Sequence, residues 1–249
     1  MLSNLFSYKE LSSTNSELSR LMQNQLPEFT IVQADYQSEG RGQLGAKWES
    51  ECGKNLILSI LFYPDFLPVK DFFLLSQFTS LALLDFLIQL YPSEYFSIKW
   101  PNDIYFKDNK IAGILIENSL QGSVIKSTIV GIGLNVNQTQ FLSDAPNPIS
   151  LSTISGHQYS LSTLLDDMAE HLQFRYHQLR IGKFQFIRDE YRTHLYQKGK
   201  LSSYEDNTGR FEATLESVAN DGALCLRLSS GELRTYYFKE VKFIPIHHR

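Results

Sequence analysis

The chain has little cysteine, no metal-binding histidine pattern and no excess of positive charge. Only two cysteines occur in 249 residues, Cys52 and Cys225. They form no C-x-x-C pair, so neither a disulfide framework nor a thiolate metal site is expected, and a reducing, cytoplasmic compartment is. The six histidines never take H-E-x-x-H spacing; His171 and His177 lie six apart and share a helix face poorly. A net charge of −4 and an isoelectric point near 5.9 argue against general nucleic-acid affinity. No basic segment followed by an apolar core opens the chain, so no export signal is read. The longest apolar stretch, 72–91, contains Ser76, Gln77, Thr79, Ser80, Asp85 and Gln89. That is too polar for a ~20-residue membrane span and reads as a buried helix. No internal repeat or low-complexity tract is present.

What is there is ample core material. Apolar residues make up 43% and charged residues 20%, the balance of a globular protein of one large domain, or one with a small companion. The pattern predicts a helix near 14–25, strands near 29–35 and 55–62 and a long helix near 70–91. Strands near 95–99, 103–107, 110–119 and 123–133 follow, the last two joined by a hairpin turn at Gln121-Gly122-Ser123. Residues 137–159, with Pro146 and Pro148, read as a loop. Helices near 161–181 and 183–196 are split around Gly182. From Lys198 on, short β segments are punctuated by Asn207-Thr208-Gly209, Asn220-Asp221-Gly222 and Ser229-Ser230-Gly231-Glu232. Strands, then helices, then a small β unit predict an α+β chain.

Two segments carry chemistry. Gly40-Arg41-Gly42-Gln43-Leu44-Gly45 has G-x-G-x-x-G spacing after a predicted strand, but no helix opens behind it; a polar stretch through Lys54 leads into another strand. The dinucleotide-binding reading therefore fails its context, and no Gly-Lys-Ser/Thr completes a phosphate-binding P-loop. What remains is a loop offering backbone N–H groups, Arg41 for bidentate contact with phosphate or carboxylate, Lys47 as a second cation, and Trp48 to cover an aromatic ligand. An ordinary mobile hairpin connection is the plain alternative. The second segment, Lys99-Trp100-Pro101-Asn102-Asp103, is a stiff corner, because proline fixes its own φ and restricts the residue before it. By itself it is equally a turn with a surface Asn-Asp.

Gly113-Ile114-Leu115-Ile116-Glu117 and Gly131-x-Gly133-x-Asn135 complete the set. Together with Ser12-Ser13-Thr14-Asn15, Gln37, the glycine loop, Lys99 to Asp103, and Lys110-x-x-Gly113, they resemble, in order and spacing, the biotin–protein ligases. These enzymes adenylate biotin with ATP and pass it to a lysine of a carrier protein. The resemblance runs from about Tyr8 nearly to the end. It implies a catalytic domain over 1–197, a mixed sheet with flanking helices similar to class II aminoacyl-tRNA synthetases, and an SH3-like β-barrel over 198–249.

By that resemblance Ser13, Thr14, Asn15 and Gln37 bind the ureido ring of biotin; buried neutral rings need paired donors and acceptors, since an unpaired one costs about 1–3 kcal/mol. Thr14 with Glu17 also fits a capping box. Gly40, Arg41 and Gly42 belong to the loop that closes over biotin and the adenylate, with Arg41 on the carboxylate or α-phosphate and Trp48 on adenine. Gln43 and Leu44 stand where many relatives carry further arginines. Lys110 matches the catalytic lysine: a fixed cation offsets the repulsion between a carboxylate and a triphosphate. Lys99 and Asn102 belong to the nucleotide side. Asp103 is the candidate to meet Mg²⁺, or to position the acceptor amine. Asn135 is expected at the adenine or ribose end, and Gly113, Gly131 and Gly133 where backbone approaches ligand. The implied partner is the biotin carboxyl carrier protein, or biotin-accepting domain, of an acyl-CoA carboxylase, acted on by a monomer or homodimer. Since the Ser-Ser-Thr-Asn segment begins at residue 12, no helix-turn-helix domain, no DNA binding and no membrane role are expected. The rival is a lipoate–protein ligase or lipoyl/octanoyl transferase of the same fold, which lacks the Gly-Arg-Gly and Lys-Trp-Pro-Asn-Asp pair.

Overall fold

The computed structural model describes residues 4–142 and 147–244, apart from the side chain of Leu44. Pro146 and the ends of the two expected domains, 1–3 and 245–249, lie outside the described residues. Strand β1 (Leu5–Leu11), helix α1 (Thr14–Leu21) and strand β2 (Ile31–Gln37) form a crossover unit in which β1 pairs parallel with β2. Next come β3 (Leu56–Phe62), α2 (Leu74–Leu90), β4 (Phe96–Lys99), β5 (Asp103–Phe106), β6 (Asn109–Gln121) and β7 (Val124–Leu134). Strands one to seven make one mixed sheet in the order β1-β2-β3-β7-β6-β5-β4, antiparallel at every pairing after the first.

Both faces of this sheet are covered. Leu56, Leu58, Ile60 and Phe62 of β3 face the main core, whereas Leu61 packs with Leu18 of α1 and Val32 of β2 on the opposite side. A strand buried on both faces needs an unbroken apolar run, and every residue of β3 is buried. Helix α2 lies between the sheet and helices α4 (Leu161–Arg180) and α5 (Phe184–Thr193), so it is apolar nearly all round. By length and composition Val69–Leu90 could cross a membrane, yet most of it is buried here. Arg175 of α4, itself buried, bridges Asp85 of α2 and Glu190 of α5, tying the three helices together.

The remaining strands, β8 (Leu201–Asp206), β9 (Gly209–Val218), β10 (Leu224–Leu228), β11 (Leu233–Tyr236) and β12 (Lys242–Phe243), form an antiparallel sheet in the order β11-β10-β9-β8-β12. The α+β expectation is borne out by these two sheets and their helices. The second sheet is fastened to the first: Trp100 Nε1 donates to the Gly222 carbonyl at 2.8 Å, and a Cβ on Gly222 would sit 2.5 Å from Phe73 Cδ2.

Three expectations need correction. Strand β1 was not anticipated, because Leu-Phe-Ser-Tyr-Lys-Glu-Leu lies at a sheet edge and is mostly exposed, with no alternation to read. The 137–159 loop contains helix α3 (Leu151–Ser155), capped by Ser150 Oγ accepting from Thr153 N at 3.2 Å and ended by left-handed Gly156. The Thr14–Glu17 capping box does not form. Ser13, not Thr14, is the N-cap and makes no side-chain cap bond; Glu17 pairs with Tyr8 and Arg20 instead.

Candidate active site

A single row across the sheet gathers residues from separate motifs. Register pairs Ile57 with Gly133, Gly133 with Gly113, Gly113 with Asp103, and Asp103 with Lys99. Directly opposed residues share a face, so this row forms a floor with two bare positions at its centre. The Trp48 indole lies on them. A Cβ on Gly133 would collide with the indole, and one on Gly113 would come 3.0 Å from Trp48 Cζ3. In the next row Ser59 pairs with Gly131 and Leu115 with Gly131, and there a Cβ on Gly131 would strike Asn15 Oδ1.

Lys110 reaches this face through an irregularity. Between Ile104 and Tyr105 the β5–β6 register shifts, so that Tyr105 opposes Lys110 rather than Ile111. Regular alternation would put Lys110 on the same face as Ala112, in the core; the bulge turns it to the Asp103 face. Its Nζ then lies 2.6 Å from Asp103 Oδ1, an ion pair without hydrogen-bond alignment.

Above the floor is a cavity of about 560 Å³. One end is neutral and polar. Gln37, at the end of β2, accepts through Oε1 from the Thr14 backbone N–H at 2.7 Å and from the Thr14 hydroxyl at 3.1 Å. Thus a side chain from β2, not a local cap, satisfies an amide at the start of α1. Ser59 Oγ stands 2.7 Å from Thr14 Oγ1 and 2.5 Å from Asn15 Oδ1, and Asn15 Nδ2 donates to Glu117 Oε2 at 2.9 Å. Ser13, Thr14, Asn15, Gln37 and Ser59 are all buried.

The other end is cationic. Lys99, Lys110, Lys239 and Lys242 line it against Asp103 as the cavity's one carboxylate among the described residues, although the whole chain carries a net −4; Arg41 and Lys47 reach the cavity from the glycine loop. Lys99 donates to the Tyr105 hydroxyl at 2.8 Å and sits over the Tyr105 and Phe243 rings at 4.8 and 5.5 Å. Burial pulls its ammonium below the ordinary lysine value, which Asp103 opposes and Lys110 reinforces. No group of three or more His, Cys, Asp or Glu that could hold a metal occurs among the described residues. Asp103 is a single hard oxygen donor, enough only for a cation that keeps most of its water.

The glycine loop is a short hairpin: Gly42 N donates to Ala46 O at 2.7 Å and Trp48 N to Gly40 O at 2.9 Å. Gly42, Gln43, Lys47 and Trp48 line the cavity. Gly40 is a close-approach position instead, since a Cβ there would meet Trp48 O at 2.5 Å. Arg41 lines the cavity but points its Nη2 to Ser16 Oγ at 3.0 Å and Glu117 Oε1 at 3.6 Å. Asn102 lines the cavity while donating to the Ile114 carbonyl at 2.7 Å. Asn135 does not line it: buried, its Nδ2 donates to the Ile149 carbonyl at 3.1 Å and so holds the segment ahead of α3. An expected ligand contact is thereby replaced by a structural one.

The sequence reading missed Ser59, Glu117 as a contact of Asn15, and the contribution of Phe238 to Phe243. Ser59 left a signal, a lone hydroxyl inside an apolar buried strand. The C-terminal residues left none, because only the packing of the two sheets brings them to the cavity.

Residues 8–135 match the model of the Biotin/lipoate A/B protein ligase family. The chain is similar to the bifunctional ligase/repressor BirA of Bacillus subtilis, at 28% identity over 91% of this chain and 70% of that protein. It is also similar to the biotin--[acetyl-CoA-carboxylase] ligase of Paracoccus denitrificans, at 30% identity over 88% of this chain and 92% of that protein. Among solved structures, the biotin protein ligase from Aquifex aeolicus in complex with biotin and ATP superposes with a TM-score of 0.80, at 25% identity, over 98% of this chain and 99% of that one.

Proposed function

Because the chain belongs to the Biotin/lipoate A/B protein ligase family, we propose that it joins biotin to a carrier protein by way of biotinyl-5'-AMP. It is an ATP-dependent biotin–protein ligase. The relatives named above are biotin ligases, so the lipoate alternative is not favoured. The observation that carries the mechanism is the polarity of the cavity, with paired neutral groups at one end and cations at the other.

In the first step a biotin carboxylate oxygen attacks the α-phosphorus of ATP and pyrophosphate leaves. Ser13, Thr14, Asn15 and Gln37 hold the ureido ring; Ser59 behind them bonds Thr14 and Asn15, and Gln37 bonds Thr14, so those three are already oriented and little ordering is required on binding. Lys110 lies between the two reacting anions and offsets the charge that builds on the α-phosphate. Lys99, Lys239 and Lys242 face the leaving pyrophosphate, and Asn102 with Trp48 takes the nucleoside. Asp103 would hold a magnesium ion brought by the nucleotide, which would supply charge neutralisation on the phosphates. In the second step the carrier lysine, arriving as the neutral amine, attacks the acyl carbon, AMP leaves with the bonding pair, and the proton shed by the nitrogen passes to solvent water; Asp103 orients that amine.

The acceptor is the biotin-bearing domain of an acetyl-CoA carboxylase. Two free thiols, exposed Cys52 and buried Cys225, support a cytoplasmic location; the net charge of −4 supports a ligase that does not bind nucleic acid, and the burial of most of Val69–Leu90 supports one with no membrane role. A monomer or homodimer is the working state. The test supplies the protein with ATP, magnesium and either biotin or lipoate, followed by a carrier domain. Pyrophosphate release and carrier labelling with biotin alone are expected; release with lipoate and none with biotin overturns the assignment.

A further inference from the structure

Glu117 touches both the ring-binding end of the cavity and the glycine loop, and the proposed chemistry leaves it without a role. Its Oε2 accepts from Asn15 Nδ2 at 2.9 Å, while its Oε1 stands 3.6 Å from Arg41 Nη2. We propose that Glu117 is a positioning residue for biotin recognition, acting through Asn15 and Arg41 together. The proposal rests on the ligase reading.

Hydrogen-bond polarity is the first argument. Hydroxyls donate or accept, and an amide can turn over, so a chain such as Asn15–Ser59–Thr14–Gln37 has no direction of its own. Its ends supply one. The Thr14 backbone N–H only donates, which fixes Gln37 with Oε1 toward it. The Glu117 carboxylate only accepts, which fixes Asn15 with Nδ2 toward β6 and Oδ1 toward Ser59. The two amides are therefore fixed, Ser59 gives its one proton to Asn15 Oδ1, and the ring meets an oriented amide at each end of the chain. Without the carboxylate, the Asn15 amide has two orientations to choose from.

The second argument is linkage between ring and loop. Arg41 is held from two sides, by Ser16 Oγ at 3.0 Å on the residue after Asn15 and by Glu117 on β6. One carboxylate thus braces both the buried amide that reads the ring and the arginine of the loop above it. Its side chain is 44% exposed, so the pair with Arg41 contributes modestly by itself; the effect comes from aiming groups that do touch biotin.

Glu117→Ala should raise the KM for biotin about tenfold, the loss of a charge-assisted hydrogen bond weakened by exposure. The KM for ATP and kcat should move less than about twofold, which general damage to the fold would not produce. Glu117→Gln keeps an acceptor for Asn15 but not the charge facing Arg41. It should give a smaller rise and faster biotin dissociation, with that acceleration absent in an Arg41→Ala background. An unchanged biotin KM in Glu117→Ala, parallel losses for biotin and ATP, or full additivity with Arg41→Ala each overturns the proposal. If Glu117→Ala does not fold, the Glu117→Gln dissociation rate decides alone. Wild-type protein run alongside separates the two levels: failure to release pyrophosphate with biotin sinks the ligase reading, whereas an active wild type with an unaffected variant sinks the role of Glu117 only.

Discussion

Replacing Lys110 by methionine tests the electrostatic core of the mechanism. In the free protein Lys110 Nζ and Asp103 Oδ1 are 2.6 Å apart, with side chains 24% and 19% exposed. At an effective dielectric near 20, suited to a site at the edge of solvent, that separation corresponds to about 6 kcal/mol of attraction before desolvation is subtracted. Lys110→Met thus removes a cation from between two substrate anions and also leaves the Asp103 charge uncompensated toward them. Removing a single preorganised group of this kind costs about 2.7–4 kcal/mol, or roughly 10²–10³ in rate. The bared carboxylate places this variant at the upper end, near 10³. Pyrophosphate release at saturating biotin and ATP measures the rates, and calorimetry with biotin alone shows whether binding survives. Release by Lys110→Met within tenfold of wild type refutes the catalytic role.

Gly133→Ala forces a methyl group into the Trp48 indole; displacement of the ring should cost about 1–3 kcal/mol of nucleotide affinity and change tryptophan emission, only two tryptophans being present. Unchanged emission and affinity would mean that the indole does not rest on the floor. Truncation after Gln197 removes the Gly222 carbonyl from Trp100 and the Phe243 ring from Lys99, so adenylation as well as carrier transfer should fail; pyrophosphate release at the full rate counts against a C-terminal share in the site. Burial raises the pKa of Tyr105, Tyr176, Tyr191 and Tyr196, and of Tyr204 to about 12. Their contribution to stability is complete below the unfolded value of 10.0 and disappears as pH rises through the raised values, because only the unfolded chain has released those protons. Tyrosinate absorbance should rise in two steps, the later coinciding with unfolding; a single step near pH 10 would contradict the burial.

From β2 onward the succession of elements along the chain was legible, because the strands are bounded by turn residues and β3 announces burial on both faces. The glycine spacings were legible too, and with them the need for close approach at Gly113 and Gly133; what approaches them, the Trp48 indole, emerges only when the register sets the two side by side. The aim of Lys110 was not legible. A strand pattern assigns faces by parity, and the bulge beside Tyr105 inverts parity at that residue. Asn135 failed for a related reason, since a conspicuous motif position serves equally well for a ligand or for a neighbouring carbonyl, and only coordinates choose. Edge strand β1 and helix α3 escaped because short or exposed elements need little hydrophobic periodicity.

The boundary near residue 197 divides two sheets but not two functions. Trp100, in the stiff corner that carries Lys99 and Asp103, is pinned through its indole N–H to Gly222 of the second sheet. Lys99 lies between Tyr105 of the first sheet and Phe243 of the second. Lys239 and Lys242 add their charges to the same cavity. A carrier-docking appendage would have no reason to reach the cations beneath the leaving group. With the second sheet in place, the ammonium of Lys99 loses solvent and keeps its direction, and a desolvated, oriented cation interacts with phosphate more strongly than one in water. On the proposed reading of this cavity the second sheet belongs to the adenylation site, and its removal should be felt before any carrier protein arrives.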